Sequence, residues 1–364
     1  MTSQRVGILL ISSIVIVMVA AWLSSNRPTE QATLAGQPVM QGFDNDRVNS
    51  VTEIRITKGG TQTTLKKGST DWTVGERSYP ADTGKVRKLL LDLAALNVIE
   101  EKTRIPENYP ALSVEDTTSD KATGTRVDAV TPTQTYSLII GKPSGAKSGF
   151  VRVVNTAPSL LAAPLISADA DPRRWLDQTL IDIPQERIKE FTVKPAEGPG
   201  YTASRPNKDT SDFAVAGIPK GRQLSSPAAA DPIAGSLGSV TLDDVQKAPA
   251  TPPTTAPATT IAHTVFTTFE GLRIDVAGHK EGSKTWVSFT PTATDPTTEV
   301  EAKTLDERLK GWEFEIPSYK YDGLFRPLED LLEKLPEKGA KKKPAAQALP
   351  PGLPPGLKLP GPGQ

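Results

Sequence analysis

The stretch from Val51 to Thr103, VTEIRITKGGTQTTLKKGSTDWTVGERSYPADTGKVRKLLLDLAALNVIEEKT, decides the fold. Thr52, Ile54 and Ile56 alternate as a strand does when one face is to be buried. Lys58-Gly59-Gly60 supplies a turn, Thr61 to Leu65 returns, and Lys67-Gly68-Ser69 turns again into Trp72 and Val74. After Pro80 the apolar period changes from two to three and four. Asp82 can cap a helix on which Val86, Leu89, Leu90, Leu93 and Leu96 gather into one stripe. That stripe needs a partner, and the strand face carrying Ile54 and Trp72 supplies one.

Working outward, Arg126 to Val130 and Tyr136 to Ile140 read as strands around Thr131-Pro132-Thr133, closing at Gly141-Lys142-Pro143, and Phe150 to Val154 as a third. Ser159 to Ile166 fits a short strand or a helix. Asp171-Pro172 suits a helix start, and Ile183-Pro184 ends the piece. The order then begins again, 137 positions on from Ile54 to Phe191 (191 − 54). Ile188, Phe191 and Val193 stand for the first strand, Gly198-Pro199-Gly200 for its turn, and Tyr201 to Arg205 for the return. Phe213 with Val215 takes the place of Trp72 with Val74, and Asp231-Pro232 opens a weaker helix with Ile233, Leu237 and Val240. Val265 to Phe269, Leu272 to Val276 and Trp286 to Phe289 match the later strands. Gly278 is paired with Gly141, and Trp312 to Ile316-Pro317 with Trp175 to Ile183-Pro184. The alternative is two unrelated segments that share common turn chemistry.

The expected architecture is α+β: two similar halves of antiparallel strands packed on helices, residues 48–184 and 185–338, preceded by one transmembrane helix. Val6 to Leu23 is 18 residues without a charge, long enough to cross the hydrocarbon, so residues 1–23 are read as an anchor. Arg5 before the span, against Arg27 followed by Glu30 after it, favours a cytoplasmic N-terminus with the bulk outside. The competing reading is a cleaved signal peptide with Val19-Ala20-Ala21 as its site. Residues 24–47 form a spacer, in which Gln37-Pro38-Val39-Met40 could begin an edge strand. Ala248 to Thr260 is a proline- and threonine-rich loop. A last amphipathic helix is expected from Pro327, with Leu328, Leu331, Leu332 and Leu335. Residues 339–364, with Lys341-Lys342-Lys343 and Pro-Pro-Gly-Leu repeats, cannot pack a core.

Composition narrows function by exclusion. Lysine plus arginine balance aspartate plus glutamate at 42 each, so no global field draws in nucleic acid. The absence of cysteine removes disulfides, thiolate metal sites, cysteine nucleophiles and a lipidated N-terminal cysteine. No Gly-x-Ser-x-Gly elbow and no Gly-x-x-x-x-Gly-Lys-Ser/Thr phosphate loop is present. The two histidines, His263 and His279, are 16 apart (279 − 263) with no acidic companion in a metal-ligand pattern. Glu100-Glu101, Glu115-Asp116 and Asp243-Asp244 are each adjacent in sequence. On a strand such neighbours point to opposite faces, which makes them poor facing pairs for glycoside hydrolysis. The sequence nominates no catalytic, cofactor-binding or metal-ligating residue.

Asp71-Trp72-Thr73-Val74, Tyr79-Pro80-Ala81-Asp82 leading into Val86 to Leu96, Ile140-Gly141, Phe150-Val151-Arg152 and Trp312-Glu313-Phe314-Glu315-Ile316-Pro317 follow one another behind an uncharged N-terminal span. In this order they resemble the family named domain of unknown function 4340, over roughly Val48 to Leu335. The resemblance implies a bacterial envelope protein associated with ABC-type transport systems of the kind linked to gliding motility and polysaccharide export. It carries no catalytic residues over. The resulting expectation is a single-span, extracytoplasmic, non-catalytic binding or scaffolding component, with the bilayer and ABC-type transporter subunits as partners. The alternatives are an exported glycan-binding module, with Trp286 or Tyr201 as the aromatic contact, and a carboxylate-dependent envelope hydrolase.

Overall fold

In a computed structural model, which describes Met18 and residues 34–249 and 261–334, the opening stretch builds one edge of a large sheet. β1 (Glu53–Lys58), β2 (Thr61–Lys67), β3 (Trp72–Val74) and β4 (Tyr79–Pro80) form a meander, with Ile54 opposite Leu65 and Leu65 opposite Val74. Ile54, Ile56, Leu65 and Val74 are fully buried, as the alternation requires. α2 (Thr83–Ala94) follows a short α1 (Asn45–Val48) in the chain and has Asp82 as its N-cap, accepting from Lys85 N at 3.0 Å. Its Val86, Leu89, Leu90 and Leu93 are buried in the same core as the β1–β3 face.

The sheet has nine antiparallel strands in the order β4-β3-β2-β1-β6-β7-β8-β9-β5. The added strands are β5 (Asn97–Thr103), β6 (Thr125–Val130), β7 (Thr135–Pro143), β8 (Gly149–Val153) and β9 (Ser159–Ala163). A second sheet runs β13-β12-β11-β16-β17-β18-β19-β15. Its strands are β11 (Ile188–Lys194), β12 (Tyr201–Ser204), β13 (Ala214–Ala216), β15 (Asp244–Lys247), β16 (Ala262–Thr268), β17 (Leu272–Glu281), β18 (Lys284–Ala293) and β19 (Trp312–Glu315). With β4 set aside, the two orders agree strand for strand. The registers agree as well, since Ile54 faces Leu65 and Ala129 as Phe191 faces Ala203 and Phe266. The molecule is mostly antiparallel sheet with few helices.

Several sequence expectations change in the folded chain. Gly278 lies opposite Val287 and Ala262, whereas Val151 and Thr125 lie opposite Ile140, so its counterpart is Ile140 and not Gly141. Trp312–Glu315 is the strand matching Ser159–Ala163, not the segment at Trp175, because it is hydrogen-bonded between β18 and β15. The helix opened by Asp231-Pro232 is only α4 (Asp231–Ala234) followed by a 3₁₀ turn, and Val240 belongs to a strand. Phe191 and Ile233 share the apolar core although this helix is short. The expected helix after Pro327 is a 3₁₀ turn, Leu328–Leu331, with Leu328, Leu331 and Leu332 buried and Leu335 outside the described residues. Two helices had no clear sequence signal: α5 (Glu299–Leu309), on which Val300 is exposed, and α6 (Ser318–Leu324). α3 (Tyr109–Leu112) is a further short turn of helix.

The spacer is also shorter than expected. Val39 N donates to Leu96 O and Val98 N to Gln37 O, and Val39, Met40, Phe43 and Val48 are buried, so the chain joins the core well before residue 48. The second sheet has the same device. β10 (Thr179–Ile181) pairs with β14 (Val240–Thr241) just before β15, and Leu242 N donates to Gln178 O. The expected membrane span Val6 to Leu23 (Met18 apart), the signal site Val19-Ala20-Ala21, most of the loop 248–260 and the tail 339–364 lie outside the described residues. Among those described, no helix is long and apolar enough to cross a membrane.

One hydrophobic core runs through both sheets, from Val39 to Leu332. Tyr79 at the end of the first meander packs edge-on against Trp312, ring centroids 5.3 Å apart, and against Phe314 at 5.9 Å. Beside it Arg77 makes a two-pronged ion pair with Asp244, at 2.6 and 2.9 Å. Elsewhere Arg187, at the start of β11, clamps Glu301 of α5 at 2.7 and 2.8 Å. Glu270 joins this group. Burial pushes its carboxyl up, but hydrogen bonds from Lys208, its own backbone, Thr268 and Arg187 outweigh that and hold it at about 2.

Two outcomes follow from this packing. Tyr79→Ala costs about 3–5 kcal/mol in urea unfolding, the cost of removing a large buried ring, and Tyr79→Phe costs much less. Because the folded-state value of Glu270 is depressed, its contribution is complete above the unfolded carboxylate range near pH ~4.3 and is lost as pH falls toward 2. Acid unfolding followed by circular dichroism shows less of this low-pH loss in Glu270→Gln than in the parent chain.

Candidate functional site

The second sheet is open at the end where β16 begins and β17 finishes. Gly278 on β17 has no side chain, and that lets α6 and the residue after it lie directly on the sheet. A Cβ at this position would stand 2.4 Å from Phe325 Cε2 and 2.9 Å from Tyr321 Cε2. The two rings pack against each other with centroids 4.7 Å apart. Buried hydroxyls secure the backbone that follows: Thr264 Oγ1 donates to Leu324 O at 2.6 Å, and Tyr201 Oη to Arg326 O at 2.8 Å.

This arrangement leaves a groove of about 770 Å³, within the range of ordinary ligand sites. Tyr321 and Phe325 give it an aromatic wall, and Pro195, Ala196, Ala262 and Pro327 add apolar surface. Lys280 and Arg326 face Glu197, Asp322 and Asp330 around it. Lys280 Nζ sits 5.1 Å from the Tyr321 ring centroid and 3.0 Å from Asp322 Oδ1. Burial, with Asp322 adding to it, pushes the Tyr321 phenol up to about 12, so it stays a neutral donor at any physiological pH. A floor of aromatic carbon within a rim of both charge signs suits a peptide-like or amphipathic ligand. Sequence reading missed Glu197, Lys280, Tyr321, Asp322, Phe325, Arg326 and Asp330, which converge from three separate parts of the chain. The one available signal was Gly278.

The acidic pairs weighed in the sequence are drawn into structural contacts. Glu100 meets Lys102, and Glu101 meets Arg104 at 2.5 Å. Glu115 accepts from Thr123 N and Oγ1 at 2.6 and 2.9 Å. Asp116 pairs with Arg152, whose guanidinium is buried on Val114 O and Thr156 O and lies over the Tyr109 ring. Asp244 holds Arg77. Asp243 is pushed up by burial, Glu315 adding to it.

His263 and His279 lie on neighbouring strands of the outer face, since His263 is opposite Ala277 and His279 opposite Trp286. His263 Nδ1 does have an acidic neighbour, Asp275 Oδ1 at 3.7 Å, which sequence spacing could not reveal because the contact crosses strands. Among the described residues no three His, Cys, Asp or Glu side chains are grouped to hold a metal. Trp286 and Tyr201 are each only 4% exposed, so neither ring is free to stack on a sugar, whereas Tyr319 on α6 is 70% exposed.

The groove depends on the missing side chain at position 278. Gly278→Ala forces the Tyr321 and Phe325 rings outward and costs about 1–3 kcal/mol by overpacking. Ultraviolet titration of the phenols reports it independently, with one group moving down from about 12 toward the ordinary tyrosine value as Tyr321 becomes wetter.

Neither the curated proteins nor the solved structures contain a match to this chain. A family model does match, over residues 72–283, from β3 of the first sheet to the turn after β17 of the second. It includes Asp82, Arg152 and Gly278 and stops short of α6, so the groove is built partly by matched residues and partly by residues beyond them. With more than half its length matched, the chain belongs to the family described as Domain of unknown function (DUF4340).

Proposed function

We propose that the protein is a non-catalytic binding component of an envelope transport assembly. In this reading residues 1–23 anchor it in the cytoplasmic membrane, and two copies of one strand-and-helix unit stand outside the bilayer. The groove beside Tyr321 receives a segment of a partner, with subunits of an ABC-type transporter as the partner class. The groove itself is the observation that carries the reading: an aromatic wall of Tyr321 and Phe325 within a rim of Lys280, Arg326, Glu197, Asp322 and Asp330. Mixed charges around an apolar floor favour specific recognition of a chain of ordinary composition over capture of a polyanion. The agreement of strand order in the two sheets supports the doubled unit.

A photo-crosslinking amino acid at Tyr319, exposed on α6 one helical turn before Asp322, tests this in intact membranes. The expected product is one defined adduct with a membrane protein, reduced at least tenfold by the double charge reversal Lys280→Glu with Arg326→Glu. Its absence, or an adduct indifferent to that reversal, removes the groove from the interaction. Alkaline phosphatase fused after Glu333 is expected to be active, which a cytosolic body would not permit.

A further inference from the structure

The Tyr321 groove lies beside the last residues of the described chain. Asp330 lines it, and the backbone runs on through Leu332, which pairs with Leu224, and Glu333, whose N–H donates to Gln223 O, to Lys334. Four residues separate Asp330 from Lys334 (334 − 330 = 4), so the sequence from Leu335 onward sets out no more than about 14 Å from the groove.

The charges around the groove do not cancel. Lys280 is held by Asp322 at 3.0 Å, and neighbouring Glu329 by Arg222 at 2.8 Å. Glu197 and Asp330 are exposed, and among the described residues neither has an ion pair, while Arg326 is the only lining cation left to set against them. Tyr321 and Phe325 are 4% and 5% exposed, so they offer ring edges and not faces. The accessible apolar surface comes from Pro195 and Ala196, which are half-buried, and from exposed Pro327. Such a groove suits an occupant that brings positive charge and compact apolar contacts.

Residues 339–364 have this chemistry. Lys341-Lys342-Lys343 is followed at once by Pro344-Ala345-Ala346, and the stretch contains no Asp or Glu. The seven residues from Lys334 to Lys341 (341 − 334 = 7) extend to about 24 Å, more than the return to Asp330 requires. A tether of this kind sets the local concentration in the millimolar range, so contacts too weak to hold a free peptide are sufficient. Proline also lowers the cost of ordering an extended segment.

We propose that residues 341–346 dock in the Tyr321 groove of their own chain, with the lysine amines on Glu197 and Asp330, and Pro344 and the alanines against Pro195 and Pro327. The segment then competes with a partner for the groove. That competition rests on the reading of the groove as a partner site, whereas the docking does not.

The chain has no cysteine, so Ala346→Cys carries a single nitroxide label in the full protein. Amide resonances are compared with the label oxidised and reduced. The expected result is at least a fivefold loss of intensity at Glu197 and Lys280, unchanged by tenfold dilution and relieved in roughly 1 M salt, where the screening length falls to about 3 Å. Reversal of the cluster, Lys341→Glu, Lys342→Glu and Lys343→Glu together, is expected to abolish the loss and keep the circular dichroism spectrum. No loss at Glu197 and Lys280, or a loss that survives the reversal, overturns the proposal. A loss that vanishes on dilution assigns the segment to the groove of a second copy and overturns it too. In intact membranes the reversed chain is expected to give at least threefold more adduct at Tyr319. Docking without any adduct removes the partner and leaves the docking in place; an adduct without docking does the opposite.

Discussion

The contact of Tyr79 with Trp312 and Phe314 is what makes two sheets one body. Each sheet alternates apolar and polar side chains, and each could in principle bury its inner face against its own helices. The first has α2 for this, about three turns of covered apolar stripe. The second has only the short α4 beneath its equivalent strands, so its core must be completed by neighbours. Tyr79 projects from the end of the first meander into that space, with Arg77 beside it holding Asp244. An aromatic contact in a dry setting, flanked by a charged pair that is costly to leave half-made, fixes the relative position of the two sheets.

That shared core constrains everything built on the second sheet. Arg205 illustrates how. Its buried guanidinium donates to Ile188, Thr210, Gln185 and Glu186 carbonyls and lies between the Phe213 and Phe269 rings. No carboxylate is needed, because the bent chain entering β11 turns its otherwise unpaired carbonyls toward one point. Arg152 does comparable work in the first sheet with two carbonyls, Asp116 and the Tyr109 ring. Both arginines are thereby structural. The surface left for recognition lies where the sheet ends: the Tyr321 groove, where β16 begins and β17 finishes.

The doubling explains where the molecule differs from itself. Ile140 in the first sheet gives way to Gly278 in the second, and only the glycine lets Tyr321 and Phe325 settle on the strand. Phe150 in the first sheet lies against a small apolar cluster of Tyr109, Val114 and Ile139. At the corresponding place in the second sheet stands Trp286, itself buried. The same framework thus buries a side chain in one half and opens a recess in the other.

The sequence by itself determined the meander of β1 to β3, the Asp82-capped helix and the recurrence of the strand order, because these rest on local turns and on alternation over a few residues. It gave no reading of β5, α5 and α6, whose apolar residues meet partners far away in the chain, so that no local period marks them. Register was beyond it too. Gly141 and Gly278 look equivalent by spacing, yet pairing to neighbouring strands offsets them by one residue, and one residue is enough to move a side chain to the opposite face of a sheet. Only the tertiary structure decided which charges pair and which residues, brought from distant parts of the chain, surround the Tyr321 groove. Those outcomes depend on strands separated by tens of residues lying a few ångströms apart, and sequence spacing does not encode that distance.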